Sequence, residues 1–407
     1  MFKVKESKNL SWEVEVSWSK NAALPIIASN ILLDNKIKLI NKPQINDVKV
    51  LEEIISISKN KNKNELDLTI KEAEKIRSSI LLIPWWLLKF WKVKFKSAWW
   101  CKIGKRPTST FDDALEQAGI KIVENWFKSY QIEGKAKKEI ILKEFSVTAT
   151  ESLLTYLAFS NINYEVKIKQ AAIEPHVINL IEFLRNIWAE INIEFDHTIR
   201  IKPWKINIEK DEFKIIWDYI EAWTFFAIWA CVENSEITIK WCNTNDLTAV
   251  FSIADSIWIN YDIIDKETIT VNSKNIKNYK SIKLQTCIFP WFPTDLQSIF
   301  WVLLTQANWI SKIHETLFEW RFTYLAELEN LWAKLEILNP HQVIIIGKQD
   351  LEWWYVSTTD LRWWWAMLLA WIIAKWTTYI MQEEIILRWY ENIDKKLSNL
   401  WVNINKI

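Results

Sequence analysis

Leu115-Glu116-Gln117-Ala118-Gly119-Ile120-Lys121-Ile122 reads as the end of a helix, a stop and the start of a strand. A helix that turns directly into a strand needs a residue at positive φ just past its end, and glycine takes that conformation freely. Four other stretches carry the same pattern with tryptophan at the stop. They are Leu184-Arg185-Asn186-Ile187-Trp188-Ala189-Glu190-Ile191, Ala254-Asp255-Ser256-Ile257-Trp258-Ile259-Asn260, Glu329-Asn330-Leu331-Trp332-Ala333-Lys334-Leu335 and Ser398-Asn399-Leu400-Trp401-Val402-Asn403-Ile404. Any residue with a Cβ loses roughly 1–2 kcal/mol in that conformation.

The composition carries the same signal. Glycine occurs 4 times and tryptophan 29 times in 407 residues, where glycine alone usually makes up about 7% of a chain. The two together come to 33 residues, an ordinary glycine content. We read most of the tryptophans as standing at glycine positions. UGA encodes tryptophan in some genetic codes and glycine in others, which would produce this exchange. Gly104, Gly119, Gly134 and Gly347 would then come from other codons. Taken literally, the chain is instead a Trp-rich, non-enzymatic binding protein, which must accommodate runs such as Trp363-Trp364-Trp365.

Outward from the stops, one plan recurs: a short β-branched strand, a polar turn, a helix and a second strand. Strand 37–41 leads to a helix near 47–57, strand 165–169 to one near 174–187, and strand 237–240 to one near 246–257. Strand 312–317 leads to a helix at 323–331, and strand 378–382 to one at 391–400. Leu180, Phe183, Leu184 and Ile187 follow helical spacing.

The length favours two domains over one core. A net charge of +1 gives no electrostatic case for nucleic acid or an anionic membrane. Residues 1–11 lack an apolar signal region. The longest apolar run, Trp363 to Ala374, has 12 residues, short of the ~20 a membrane span needs. Cys101, Cys231, Cys242 and Cys287 lack CxxC spacing and read as reduced thiols; four scattered histidines make a zinc site unexpected. A cytoplasmic enzyme or binding protein is the expectation.

Chemistry concentrates in Trp99-Trp100-Cys101-Lys102-Ile103-Gly104-Lys105-Arg106-Pro107. Neighbouring cations lower a thiol's pKa, so Cys101 reads as the reactive cysteine and the other three as buried structural thiols. Lys20, Arg77, Arg106, Arg362 and Arg388 lie in apolar or small-residue contexts, unlike ordinary surface charges. Arginine suits planar oxyanions because its fork binds them bidentately. Asp295, on a turn stiffened by Pro290 and Pro293, reads either as a general base or as a helix N-cap.

With glycine restored, the cysteine stretch resembles the cysteine loop of the enolpyruvyl transferases. The resemblance runs from Val16 to Ile404. It includes Ser19-Lys20-Asn21-Ala22-Ala23-Leu24-Pro25, Arg77-Ser78-Ser79-Ile80, Ser146-Val147-Thr148-Ala149-Thr150-Glu151 and Glu174-Pro175. It continues through Phe292-Pro293-Thr294-Asp295-Leu296-Gln297, Glu315-Thr316-Leu317-Phe318-Glu319, Thr359-Asp360-Leu361-Arg362 and Arg388-Trp389-Tyr390-Glu391.

The resemblance implies an inside-out α/β barrel (α/β prism) of two domains, residues 20–216 and residues 1–19 with 217–407, each built from three βαβ-type units. The site would lie in the cleft between them. It implies transfer of the enolpyruvyl group of phosphoenolpyruvate to the 3-hydroxyl of UDP-N-acetylglucosamine, with no cofactor, no metal and no obligate protein partner. This is a step of peptidoglycan synthesis. Cys101 would be the general acid and the target of fosfomycin-type alkylation. Asp295 would be the base. Lys20, Arg77, Arg106, Arg362 and Arg388 would hold charge, with Lys20 and Arg388 counted as catalytic. Asn21, Ser146, Val147, Leu317 and Asp360 would complete the substrate site. The family usually continues the cysteine loop with Val-Asp-Leu-His along the uridine site; here Thr108-Ser109-Thr110-Phe111 stands instead, leaving Phe111 to stack near a base and Ser109 to hydrogen-bond. A related acceptor, shikimate 3-phosphate, is the alternative within the family; the shikimate enzymes lack the cysteine loop.

Overall fold

The computed structural model describes residues 2–59, 66–68, 71–95, 108–203, 205–274, 278–319, 321–322, 325–352, 355–357, 361–381 and 391–406. They fall into two compact units, one holding residues up to 17 together with those from 217 onward, the other lying within residues 18–216.

One repeat recurs in both units. In the clearest copy, strand Lys283–Gln285 is followed by the inner helix Gln297–Thr305 and by strand Trp309–His314, parallel to the first. An outer helix, Leu325–Asn330, then leads to the hairpin Leu335–Asn339 and Gln342–Gly347, whose second strand pairs antiparallel with Trp309–His314. The same order forms around Glu236–Lys240 with Ser11–Glu15 as its parallel neighbour. Around Thr377–Met381, Tyr355–Ser357 is the parallel neighbour and Phe2–Lys5 the antiparallel one. In the other unit it forms around Lys92–Phe95 and Val166–Lys169. A sixth copy shows the parallel pair Lys38–Ile40 and Glu212–Lys214.

The helices divide into two kinds. Every residue of Tyr219–Cys231 and of Gln297–Thr305 is buried, and so is every residue of Lys20–Asn30 except Asn21. A helix apolar on all sides has to be surrounded, so these sequences are inner helices. The outer helices bury one stripe only: Thr248–Ile257 buries Val250, Ile253, Ala254 and Ile257. The strands bury alternate residues, as in Val166 and Ile168 or Ile237 and Ile239. Helices therefore sit inside and half-exposed sheets outside, with one hydrophobic core per unit. The strand expected at 312–317 ends at His314, because the Glu315 carboxylate accepts from the amides of Leu317 and Phe318 and turns the chain out of the sheet. Among the described residues no helix is long and apolar enough to cross a membrane.

The stops behave as their sequences require. Gly119 has φ +89°, and Trp188, Trp258, Trp332 and Trp401 have φ 69°, 69°, 68° and 69°. All four tryptophans close their helices with the same two hydrogen bonds. Trp188 N–H reaches Arg185 O at 2.9 Å and Ala189 N–H reaches Leu184 O at 3.1 Å; the pairs from Trp258–Ile259, Trp332–Ala333 and Trp401–Val402 repeat this spacing. It is the six-to-one, five-to-two closure that favours glycine. Trp12, Trp91, Trp241, Trp309 and Trp376 also have positive φ. All nine indoles are exposed, from 41% to 81%. At about 1–2 kcal/mol each, their backbone strain rivals the ~5–15 kcal/mol that holds a typical domain folded.

The inner-helix tryptophans differ. Trp85, Trp86, Trp223, Trp229, Trp301 and Trp371 are fully buried in ordinary helical backbone, so φ gives no reason to exchange them. They carry another cost: the indole N–H groups of Trp86, Trp229 and Trp301 have no hydrogen-bond partner among the described residues, at about 1–3 kcal/mol for each buried orphan.

Two outcomes test the glycine reading. The protein purified from its own organism is expected to weigh less than 48.6 kDa, short by one indole side chain per exchange; an intact mass equal to the written chain would end it. In the chain as written, Trp258→Gly is expected to raise stability by about 1–2 kcal/mol. Gly119→Ala is expected to lower it by at least as much, because its Cβ would meet Gly134 backbone atoms at 2.7 Å. Urea unfolding midpoints check both.

Candidate active site

The sequence-predicted residues that the structure describes occupy two kinds of place in the repeat. The first is the N-terminal start of an inner helix. Lys20 and Asn21 begin Lys20–Asn30, and Ser146 caps Val147–Phe159. Arg77 opens the 3₁₀ turn Arg77–Leu82 that runs into the inner helix Ile83–Phe90, and Asp295 lies in the turn Thr294–Leu296 that runs into Gln297–Thr305. Arg362 is the second residue of Leu361–Ile373. Helix N-termini present unpaired N–H groups and a partial positive charge, which suits anionic ligands. The second place is the crossover from strand to outer helix. Leu317 follows strand Trp309–His314 and precedes helix Leu325–Asn330. Cys101, Arg106, Asp360 and Arg388 lie outside the described residues, as does the side chain of Arg362. The structure brings the helix of Lys20, the turn of Arg77 and the helix of Val147 into mutual contact.

Lys20 is buried, and its Nζ donates to Asp47 Oδ2 at 2.9 Å. Asp47 stands at the start of the outer helix Asn46–Lys59 of the same repeat. In sequence it reads as a first-turn acid that complements the helix dipole, so its tie to Lys20 was not legible.

Asp295 is joined in the equivalent way with the charges exchanged. Arg321 donates Nη2 to Asp295 Oδ1 at 3.0 Å, and the arginine side chain is 4% exposed. Glu315, wholly buried, accepts from the Thr294 hydroxyl at 2.7 Å and from the amides of Leu317 and Phe318 at 2.9 and 3.3 Å. Arg321 lies just beyond the quoted Glu315–Glu319 segment. Its signal was position: it falls between a strand and an outer helix, as Leu317 does.

The start of helix Val147–Phe159 holds a second buried acid. Ser146 Oγ accepts from the Ala149 amide, and Thr150 Oγ1 donates to Ser146 O while accepting from the Ala172 amide. Glu151 is buried next to them. Burial, and then the charge of Glu174, push its carboxyl well above the usual range. Its Oε1 has no hydrogen-bond partner among the described residues.

The expectations for Phe111 and for Cys287 are corrected. Phe111 is 4% exposed and packs edge-on against Tyr130 in the core, so its ring is not presented to a ligand; the helical stripe Phe111, Ala114, Leu115 dictates this. Ser109 is exposed. The polar cluster here is instead Asp112, which accepts from Thr108 at 2.8 Å, from Tyr130 at 2.9 Å and from Lys128 at 2.5 Å. Of the thiols read as structural, Cys231 and Cys242 are buried, and burial pushes Cys242 up to about 12. Cys287 is only partly buried, just past the short edge strand Lys283–Gln285. No group of three or more His, Cys, Asp or Glu among the described residues could hold a metal ion.

The model of the EPSP synthase (3-phosphoshikimate 1-carboxyvinyltransferase) family matches residues 100–397. The chain is 31% identical to the UDP-N-acetylglucosamine 1-carboxyvinyltransferase of Pelagibacter ubique, over 98% of this chain and 97% of that one. It is 33% identical to the enzyme of the same name from Campylobacter lari, with the same coverage. Among solved structures it is similar to the enolpyruvyl transferase NikO of Streptomyces tendae, at TM-score 0.83 and 16% identity over 99% of this chain and 98% of that one. It is also similar to EPSP synthase of Acinetobacter baumannii, at TM-score 0.70 and 12% identity over 99% of both.

Glu151 gives a pH test. A carboxyl with a raised folded-state pKa contributes stability below its unfolded value, and that contribution is lost as pH rises through the folded one. Glu151→Gln is therefore expected to gain stability over the unchanged chain at pH 8 and less at pH 5. Urea midpoints at the two pH values check it; equal differences would contradict the assignment.

Proposed function

The chain belongs to the enolpyruvyl transferase family, and we propose that it transfers the enolpyruvyl group of phosphoenolpyruvate to the 3-hydroxyl of UDP-N-acetylglucosamine, releasing phosphate. The observation that carries this is full-length similarity above 30% to curated enzymes of that name. The retained motif Cys101-Lys102-Ile103-Gly104-Lys105-Arg106 supports it.

In this reading the reaction is an addition followed by an elimination. The acceptor oxygen attacks C2 of phosphoenolpyruvate while Asp295 takes the hydroxyl proton, and the Cys101 thiol gives its proton to the methylene carbon, which becomes a methyl. In the second half a methyl proton returns to the Cys101 sulfur, the double bond reforms and the C2–O bond to phosphate breaks. The proton held by Asp295 leaves with the phosphate. Lys20, Arg77, Arg106, Arg362 and Arg388 hold the phosphate and carboxylate charges, since fixed cations stabilise developing charge without reorganising. Asn21 faces the sugar nucleotide, its position half-exposed at the start of an otherwise buried helix. Ser146, Val147, Leu317 and Asp360 complete the substrate contacts. The product serves peptidoglycan synthesis in the cytoplasm.

The family model is named for the shikimate enzyme, so shikimate 3-phosphate is the second acceptor to test. Phosphate release is expected with UDP-N-acetylglucosamine and not with shikimate 3-phosphate; the reverse would overturn the reading. Cys101→Ala is expected to lower release by about 100-fold or more, the usual weight of a positioned acid. A variant as active as the unchanged chain would remove Cys101 from the mechanism.

A further inference from the structure

Inner helix Lys20–Asn30 ends in a turn that sends the chain back toward the sheet. Asn35 N–H donates to Asn30 O at 3.0 Å, and Asp34 and Asn35 take φ 53° and 57°, a conformation these two residue types accept more readily than most. The Asn30 side chain ties the returning arm: Asn30 is 3% exposed and its Nδ2 donates to Ile37 O at 2.8 Å. Ile31 on one arm and Ile37 on the other both line a cavity of about 430 Å³, within the ~300–1,000 Å³ of small-molecule pockets. The outer helix Asn46–Lys59 supplies a further wall with Glu52 and Ile55, which are three apart and so share one face.

The lining divides into an apolar floor and a charged rim. Ile31, Ile37 and Ile55 are 3%, 1% and 6% exposed. Lys42 and Glu52 form an ion pair and keep 31% and 44% of their side chains in solvent. We propose that this cavity is a second binding site, for a zwitterion with an apolar tail, the chemistry of a large hydrophobic α-amino acid. The tail lies against the isoleucines, the carboxylate pairs with Lys42 and the ammonium with Glu52. An exposed ion pair contributes little to stability, so opening it costs little, and each member gains a new partner. A ligand of one charge meets an equal and opposite pair at the rim, and attraction to one member is offset by repulsion from the other. An uncharged ligand leaves the rim unused. The rim thus selects for both signs on neighbouring atoms. No residue of this site is among those assigned to the transfer reaction, so the two readings stand or fall separately.

The test is isothermal titration calorimetry on the full-length chain with L-phenylalanine, 3-phenylpropanoate and 2-phenylethylamine. The three share a ring and an aliphatic stem; the second lacks the ammonium and the third the carboxylate. L-Phenylalanine is expected to bind saturably, and each analogue at least about fivefold more weakly. Lys42→Met and Glu52→Gln, both at the solvent-facing rim, are each expected to weaken L-phenylalanine by a similar factor while leaving the urea midpoint nearly unchanged. Ile55→Phe, which fills part of the floor, is expected to weaken all three compounds. Absence of saturable L-phenylalanine binding would overturn the proposal. Equal affinity for the three compounds would do the same, since the rim would then select nothing. So would binding unaltered by both rim substitutions, which would place the ligand elsewhere.

Discussion

The backbone of this protein depends on one conformational constraint repeated along the chain: the residue that ends a helix and begins a strand must be left-handed. Gly119, Trp188, Trp258, Trp332 and Trp401 all satisfy it, within a φ range of 68° to 89°. Their function is topological. A left-handed residue reverses the chain within two or three positions, so a short outer helix can lie directly over the sheet its hairpin joins. With a longer loop in its place, the sheet and helix would lose their tight register. At that position a side chain is an encumbrance, and all four indoles there are thrust into solvent.

The same repeat explains where the polar chemistry falls. The inner helices are buried on all sides and have room for charge only at their ends. Their N-terminal ends gather Lys20, Ser146 and Asp295, and the strand-to-helix crossovers supply partners such as Asp47 and Arg321. Two repeats thus use one joint with opposite polarity, a cation held by an acid in one and an acid held by a cation in the other. A buried ion pair adds little net stability but constrains geometry. That is the useful property where reacting atoms must be placed.

The fold was legible because it is periodic. Five strand–helix pairs were readable from β-branched runs and apolar spacing, and each has its counterpart in the structure within a few residues. Where a side chain overrides the pattern, reading failed, as where Glu315 ends a strand early. Phe111 shows a different failure: a residue in a functional motif was also on the apolar stripe of a helix, and burial decided. The candidate site was legible as residue types and order. The partners of those residues were not, because Asp47 and Arg321 lie 27 and 26 residues from Lys20 and Asp295 in sequence.

Phe2–Lys5 lies between Thr377–Met381 and Ile404–Lys406 in one sheet, with Phe2 opposite both Ile380 and Lys406. The strand at residues 2–5 thus bridges two strands that lie from residue 377 onward, a contact of large sequence separation. Such contacts carry a high loop-closure cost and form late. During synthesis, Phe2–Lys5 has no partner strand until the last part of the chain has left the ribosome, while the sheets around Lys92–Phe95 and Val166–Lys169 have every strand they need long before. The unit within residues 18–216 can thus complete its sheets while Phe2–Lys5 still waits for Thr377–Met381 and Ile404–Lys406.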